Sequence, residues 1–292
     1  MCLRTQNVLG YRTLTVVYSG MGTIERAGQV VIDWLHELPP VLGAAFVCGC
    51  FLVVTLIGSA YLQPTFGRLL QGEREPNTLV GLLLSTFSLY YGVLLALLSV
   101  AVFANYDKAQ DTVGLEATSL IALYREFSGY PEPVRTSLAE TLRRYVDEET
   151  GSGWSEQHRN RASGPGGLLV DELNRQLVSF RPNRETGEDV LHRETLQTFG
   201  EFVERRRARI QAAGTSIPPV IWNVVLIGAV LNVFVLWLFD LKRMSHFIMG
   251  GVLTIFIGLV VYMVAVLDQP FRGAHGLPPD ELVEARQQMN PR

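Results

Sequence analysis

The side chains that could support catalysis or metal binding lie scattered along this sequence. The glycine-rich stretch Ser163-Gly164-Pro165-Gly166-Gly167 follows no strand, so it predicts a flexible loop rather than a phosphate-binding loop. The acidic run Asp147-Glu148-Glu149 could bind a cation, but it also fits a solvated helix end, which is the more common case. The five histidines have no HExxH or other paired-ligand spacing. They are His36, His158, His192, His246 and His275. We therefore predict no catalytic residue, no enzyme activity, no cofactor and no metal site.

The cysteines also give no reason to expect a site. There are three, Cys2, Cys48 and Cys50, which cannot build a disulfide framework. Cys48 and Cys50 lie inside an apolar run, and a spacing of two on a helix puts them on nearly opposite faces. They are predicted to be small apolar side chains that face lipid or a neighbouring helix.

Composition points to the membrane. Of 292 residues, 48% are hydrophobic and 18% are charged. Four apolar windows are long enough to cross a bilayer core, which needs about 20 residues. They run from about Val41 to Leu62, Thr78 to Tyr106, Pro218 to Phe239 and His246 to Leu267. The lipid bilayer is thus the first predicted partner, and a net charge of −3 gives no indication of nucleic-acid binding.

The interiors of the four spans contain no Asp, Glu, Lys or Arg. Proton pumps and ion-coupled transporters usually need such groups within the membrane, so this class is disfavoured. Asn223 and Asn232 are the polar side chains that would be most unfavourable in lipid. Each is expected to face another helix or a wet cavity, and interhelical packing is the simpler interpretation.

The second span has a recurring apolar face. Leu83, Phe87 and Tyr91 repeat every four residues, which stacks them along one side of a helix. In an oligomer, rings of such side chains would form a hydrophobic constriction that gates by dewetting. An ordinary lipid or packing stripe explains the same spacing. No glycine or proline occurs between Val93 and Val113, so this helix is predicted to leave the membrane unbroken and to continue towards Phe127.

Basic residues near the spans predict the orientation. One side carries more of them, with the cluster Arg205–Arg209 as the strongest marker. Both termini and residues 107–216 are therefore expected in the cytoplasm, with the links 63–77 and 240–245 outside.

Residues 107–216 carry most of the charge, and their apolar residues follow helical spacing. The stripes are Leu120, Leu123, Tyr124 and Phe127; Val134, Leu138, Leu142 and Tyr145; Leu169, Leu173, Leu177 and Phe180; and Phe199, Phe202, Val203 and Ile210. We predict a helical bundle whose stripes pack on each other or on a neighbouring subunit. An interfacial helix is expected within 22–38, and a short helix within 280–288.

The predicted fold class is all-α: a polytopic membrane protein with four transmembrane helices and a cytoplasmic helical domain between the second and third. The predicted divisions are an N-terminal tail and interfacial helix (1–40), transmembrane helices 1 and 2 (41–106), the cytoplasmic domain (107–216), transmembrane helices 3 and 4 (217–268) and a cytoplasmic tail (269–292).

The order of these parts resembles the bacterial bestrophin-like membrane family. The resemblance rests on Asp33-Trp34-Leu35 and Pro39-Pro40 before the first span, and on Tyr106-Asp107-Lys108-Ala109, Glu116-Ala117 and Leu123-Tyr124-Arg125 after the second. It also rests on Leu267-Asp268-Gln269-Pro270-Phe271-Arg272-Gly273 after the fourth. It implies a pentameric channel in the bacterial inner membrane, mainly for inorganic anions, with Leu83, Phe87 and Tyr91 at a neck. The acidic cluster of calcium-gated bestrophins is reduced here to Asp268, Asp280, Glu281 and Glu284, which argues against calcium gating.

Three functions remain open at this point. The first is a homo-oligomeric ion channel that conducts anions. The second is a non-conducting membrane scaffold or sensor that binds a partner through residues 107–216. The third is a small-solute transporter.

Overall fold

The computed structural model of the chain describes residues 38–61, 75–154, 165–239, 241–273 and 276–290. Within those ranges every regular element is a helix. The α-helices are α1 (Pro40–Tyr61), α2 (Pro76–Phe127), α3 (Val134–Glu148), α4 (Gly166–Ser179), α5 (Glu188–Ala213), α6 (Pro219–Trp237), α7 (Arg243–Leu267) and α8 (Asp280–Gln288). A short π-helix, Glu149–Gly153, follows α3. The interfacial helix expected within 22–38 lies outside the described residues, as does most of the link 63–77.

Four of these helices, α1, α2, α6 and α7, have the length and apolar composition of membrane spans. Helices are the expected form, because in lipid each backbone N–H and C=O group must find its partner within the segment. Pro76 and Pro219 stand in the first turn of α2 and α6, where the missing N–H is not needed. The predicted number of spans and the all-helical class are confirmed.

Small residues let the spanning helices approach closely. A Cβ atom at Gly58 of α1 would lie 2.1 Å from the ring of Trp237, and one at Gly258 of α7 would lie 3.1 Å from the Cα atom of Cys48. The indole N–H of Trp237 also donates to the Thr55 carbonyl at 3.3 Å. Close backbone contact of this kind drives helix association in lipid, where the hydrophobic effect between helices is weak.

Helix α2 is the longest element. Its 52 residues give it a length of about 78 Å at 1.5 Å per residue. It crosses the expected boundary between 106 and 107 without a break and ends at Phe127, so the prediction of a continuous helix is confirmed. The apolar and polar segments are thus joined by one continuous helix.

The polar segment has its own apolar core. Five side chains from different helices have no exposed surface and belong to one continuous hydrophobic cluster: Leu120, Leu138, Leu142, Leu173 and Phe202. The predicted stripes therefore pack on each other within one chain. The tail joins the same core through Phe271, Leu277, Leu282, Ala285 and Met289. The predicted helix at 280–288 is confirmed as α8, and its apolar side is what holds the tail in place.

Candidate conduction surface and the cluster that anchors it

The long helix α2 has two faces that persist along its length. One face is buried with the period of an α-helix, from the membrane segment into the polar domain. Its members include Val80, Tyr91, Leu95, Leu98, Val102, Ala109, Val113, Glu116, Leu120 and Phe127. The opposite face is exposed in the single chain and includes Leu82, Leu89, Val93, Leu97, Val100 and Phe103. α2 is therefore fixed along one side and presents an apolar surface on the other.

The three predicted neck residues do not share one environment. Leu83 and Phe87 are 42% and 38% exposed, whereas Tyr91 is 7% exposed. Each step of four residues turns an α-helix by about 40°, so eight residues carry Tyr91 about 80° away from Leu83. This rotation brings Tyr91 onto the buried face of α2.

Tyr91 packs on α6. Its hydroxyl donates to the Val225 carbonyl at 3.1 Å. A Cβ atom at Gly228 would lie 2.6 Å from the ring, so the absence of a side chain there makes room for Tyr91. The contact fixes the rotation of α2 about its own axis and thereby determines which residues remain on the exposed face.

The two predicted buried asparagines also differ. Asn232 is buried; its Nδ2 donates to the Gly228 carbonyl at 2.9 Å, and its Oδ1 accepts from the Ser88 hydroxyl at 2.8 Å. It therefore joins α6 to α2. Asn223 lies near the start of α6 on the surface of the single chain. The prediction that Asn223 faces another helix or a wet cavity therefore stays a prediction, and among the described residues nothing covers this side chain.

Below the apolar segment, the exposed face of α2 becomes charged. Asp107, Lys108 and Asp111 are exposed there. Asp107 and Asp111 are four residues apart and so lie on the same side of the helix, while Lys108 points about 100° away from Asp107. If this face lines a pathway, these are the first charges that an ion meets beyond the apolar segment.

A buried ionic cluster anchors the polar half of α2. Arg209 of α5 has no exposed surface, and its Nε donates to Glu116 Oε2 of α2 at 2.5 Å. Its Nη2 donates to Glu149 Oε2 at 2.7 Å. Arg206 lies 3.5 Å from the other oxygen of Glu149. Tyr145 of α3 donates its hydroxyl to Glu116 Oε1 at 2.6 Å. Among the described residues, two cations face two carboxylates, so this part of the cluster is balanced in charge.

Burial and neighbouring charges set the protonation of this cluster. Burial is the largest single influence and disfavours the charged guanidinium, but the neighbouring groups Glu116, Tyr145 and Glu149 together outweigh it and raise the pKa of Arg209. Burial, followed by the charge of Glu116, also raises the pKa of Tyr145. Arg209 is therefore a permanent cation and Tyr145 a neutral hydrogen-bond donor, which is what two buried carboxylates require.

Through Trp154, the same cluster is linked to the segment that follows α7. The guanidinium of Arg209 lies 5.6 Å from the ring of Trp154, whose indole N–H donates to the Leu277 carbonyl at 3.0 Å. Trp154 also packs edge-on against Phe271. Close by in sequence, Asp268 accepts hydrogen bonds from the Ile217 N–H at 2.6 Å and from the Trp222 indole at 3.1 Å. Polar contacts thus join the start of α6 to the end of α7.

Sequence reasoning missed the cluster. It treated Asp147-Glu148-Glu149 as a solvated end, but Glu149 is 7% exposed and pairs with Arg209. It also used Arg205–Arg209 as an orientation marker, although Arg205 donates to the Leu115 carbonyl and Arg209 is enclosed. Long arginine side chains turn inward where a buried carboxylate pairs with them. The sequence feature that could have revealed the cluster was Glu116, a carboxylate on an otherwise apolar stripe of α2.

The histidine at the start of the fourth predicted span is enclosed as well. His246 lies in the first turn of α7 and has no exposed surface. Across the described ranges, no group of three His, Cys, Asp or Glu side chains could hold a metal ion.

Comparison with known proteins places this architecture. The Bestrophin-like domain matches residues 49–282. A point variant of a bacterial bestrophin homologue from Klebsiella pneumoniae has a similar structure, with a TM-score of 0.62 and 14% identity over 83% of this chain and 97% of that one. A second solved structure, described as a membrane protein, gives a TM-score of 0.60 and 13% identity over 86% and 98% of the two chains. No curated protein matches in sequence. The family match spans most of the chain and agrees with its fold, so this protein belongs to the bestrophin-like family.

Proposed function

We propose that this chain is one subunit of a homo-oligomeric ion channel, and that the exposed face of α2 lines its pore. The observation that carries the proposal is this face, which runs without interruption from the apolar segment to the charged segment of one helix. The opposite face is fixed in both halves of the chain. A helix held in this way can present the same surface to a pathway along its whole length.

The pore requires several copies. Four spanning helices per chain are too few to enclose an aqueous path, so copies must surround a symmetry axis. We propose a pentamer, following the family resemblance. Leu83 and Phe87 are partly exposed at the border between the buried and exposed faces of α2, and we propose that they form apolar rings in the neck, where a narrow, dry passage opposes ion entry until it opens. Tyr91 keeps its place in the proposal as the residue that holds α2 in register with α6.

Inorganic anions are the proposed permeant ions, again following the resemblance. Asp107 and Asp111 make this part of the proposal sharply testable, because rings of carboxylates favour cations. In a KCl gradient, a reversal potential near that of chloride supports anion conduction. A reversal potential near that of potassium refutes it.

The choice of membrane and the orientation of the chain in it are also proposed. We propose the bacterial inner membrane, with both termini and the polar domain in the cytoplasm. Of the four arginines in the cluster that marked this side, Arg207 is exposed and available to the membrane surface, whereas Arg209 is not. Modification of a single cysteine placed at Arg207, in intact cells and in inverted vesicles, tests the orientation.

Two measurements test the channel itself. The mass of the detergent-solubilised particle must be that of an oligomer, since a monomer has no pore. In planar bilayers, Phe87→Ala is expected to raise the current severalfold by widening and wetting the neck. Phe256→Ala is the matched control: Phe256 is also an exposed phenylalanine of a spanning helix, but it lies on α7. Equal currents for both variants would remove Phe87 from the neck.

The second candidate function is a non-conducting scaffold or sensor. The observation that favours it is a set of apolar side chains exposed on the polar domain, where no lipid covers them. Leu168, Val178 and Val190 are 73%, 63% and 59% exposed. An oligomer that carries no current under any ionic condition would favour this alternative.

A further inference from the structure

A cleft of about 400 Å³ opens at the end of α2 that is farthest from the membrane segment. It lies between the last turn of α2 and helix α3. The lining residues are Tyr124, Phe127, Ser128, Glu132, Arg135, Thr136, Ala139 and Arg143. A second cavity of about 240 Å³ shares Tyr124 and Ser128 and adds Arg125, Gln288 and Met289. The first volume alone is within the usual range for small-molecule sites.

The charges of this cleft do not balance. Glu132 pairs with Arg135, whose Nε donates to its carboxylate at 2.8 Å. Hydrogen bonds from Thr136 and then from Arg135 lower the pKa of Glu132, so this pair remains ionic at neutral pH. Arg143 forms no ion pair with a carboxylate in the described part of the chain. One positive charge is left over in a partly enclosed space.

The Arg143 side chain is already held in position. Its Nε donates to the Met289 carbonyl at 3.0 Å, and its Nη2 donates to the Tyr124 hydroxyl. The guanidinium carbon lies 5.2 Å from the centre of the Tyr124 ring. These contacts use two of the five N–H donors of arginine and leave the other three for a ligand. An arginine fixed in this way loses little entropy when it binds an anion.

We propose that this cleft binds a small soluble oxyanion, a metabolite that carries a phosphate or carboxylate group, with Arg143 as its anchor. A planar guanidinium with unused donors matches such a group in charge and in geometry. Ser128 lies about 33 Å along the axis of α2 beyond Tyr106, where the apolar run ends, so a lipid headgroup would not reach the cleft. The site joins α2, α3 and the C-terminal end of α8, and it does not depend on ion conduction.

Calorimetric titration of the full-length solubilised chain with inorganic phosphate, at constant ionic strength held with chloride, tests the proposal. We expect saturable binding that weakens about tenfold or more in Arg143→Gln, because a charge-assisted contact is lost. Arg144→Gln is the matched control: it removes the same charge one position along α3, from an exposed side chain, and is expected to bind like the parent chain.

A second variant separates ligand binding from folding. Ser128→Asp adds a carboxylate at an exposed position of the cleft and leaves the contacts of Arg143 with Met289 and Tyr124 in place. It is expected to weaken phosphate binding as strongly as Arg143→Gln. The proposal is overturned if the parent chain shows no saturable binding of phosphate, if Arg144→Gln weakens it as much as Arg143→Gln, or if binding is seen only with vesicles of phosphatidic acid.

Discussion

Removing the buried cation at Arg209 should test the anchoring of α2 most directly. Arg209→Met keeps a long side chain but deprives Glu116 and Glu149 of their shared partner. Both carboxylates lie almost entirely out of water, since the side chains of Glu116 and Glu149 are 0% and 9% exposed. They would then be enclosed with one cation, Arg206, which is 3.5 Å from Glu149.

The size of the effect follows from these contacts. Breaking a buried ion pair by removing one partner typically costs about 3–5 kcal/mol, because the remaining charge is left without compensation. Removal of a hydrogen bond to a charged group contributes about 1.5–3 kcal/mol, and the two bonds of Arg209 to the carboxylates are not additive. We expect a loss of about 3–5 kcal/mol, which is a large part of the stability of a typical domain. For a chain of this size, it lowers the midpoint of thermal unfolding by roughly 6–20 °C.

Thermal unfolding of the solubilised protein, followed by circular dichroism, measures this loss. Arg207→Met is the matched control on the same helix: Arg207 is exposed, so its change should stay within about 0.5 kcal/mol. The double variant Glu116→Gln with Arg209→Met should recover more than half of the loss, because it removes the stranded charge as well as its partner. The reasoning is refuted if Arg209→Met unfolds within about 1 kcal/mol of the parent chain, or if the double variant is no more stable than Arg209→Met alone.

Two further predictions concern the membrane half. Gly228→Ala should destabilise the fold by about 1–3 kcal/mol, because its Cβ would meet the ring of Tyr91 at 2.6 Å. Gly92→Ala is the control: nothing lies within 4 Å of a Cβ atom there, so this variant should be neutral or slightly stabilising in the same unfolding assay. Asp268→Ala should lower stability by about 1–3 kcal/mol, because the buried Ile217 N–H loses its acceptor. Trp222→Phe removes only the indole donor and should cost less, and an equal loss for both variants would contradict this account.

Sequence patterns alone were sufficient for the architecture. The four spans, the uninterrupted α2 and the short helix α8 follow from apolar length, helical periodicity and the positions of proline, which are local properties. Asn232 followed the same logic, since an amide in lipid must find a partner. The family resemblance was likewise carried by short segments, among them Glu116-Ala117 and the exit at Asp268.

The tertiary structure decided what those residues do. Periodicity placed Leu83, Phe87 and Tyr91 on one side of a helix. Each step of four residues turns the helix by about 40°, however, and Tyr91 fits into the space beside Gly228, so its environment differs from that of the other two. From the sequence, Arg209 and Glu149 were expected to be surface charges. In the structure they are buried in one cluster with Glu116, which lies 93 positions from Arg209 along the chain. Local pattern fixes a helix and its faces, because hydrogen bonds and side-chain period act over a few residues. The partner of each face depends on contacts between distant segments, and those exist only after the chain has packed.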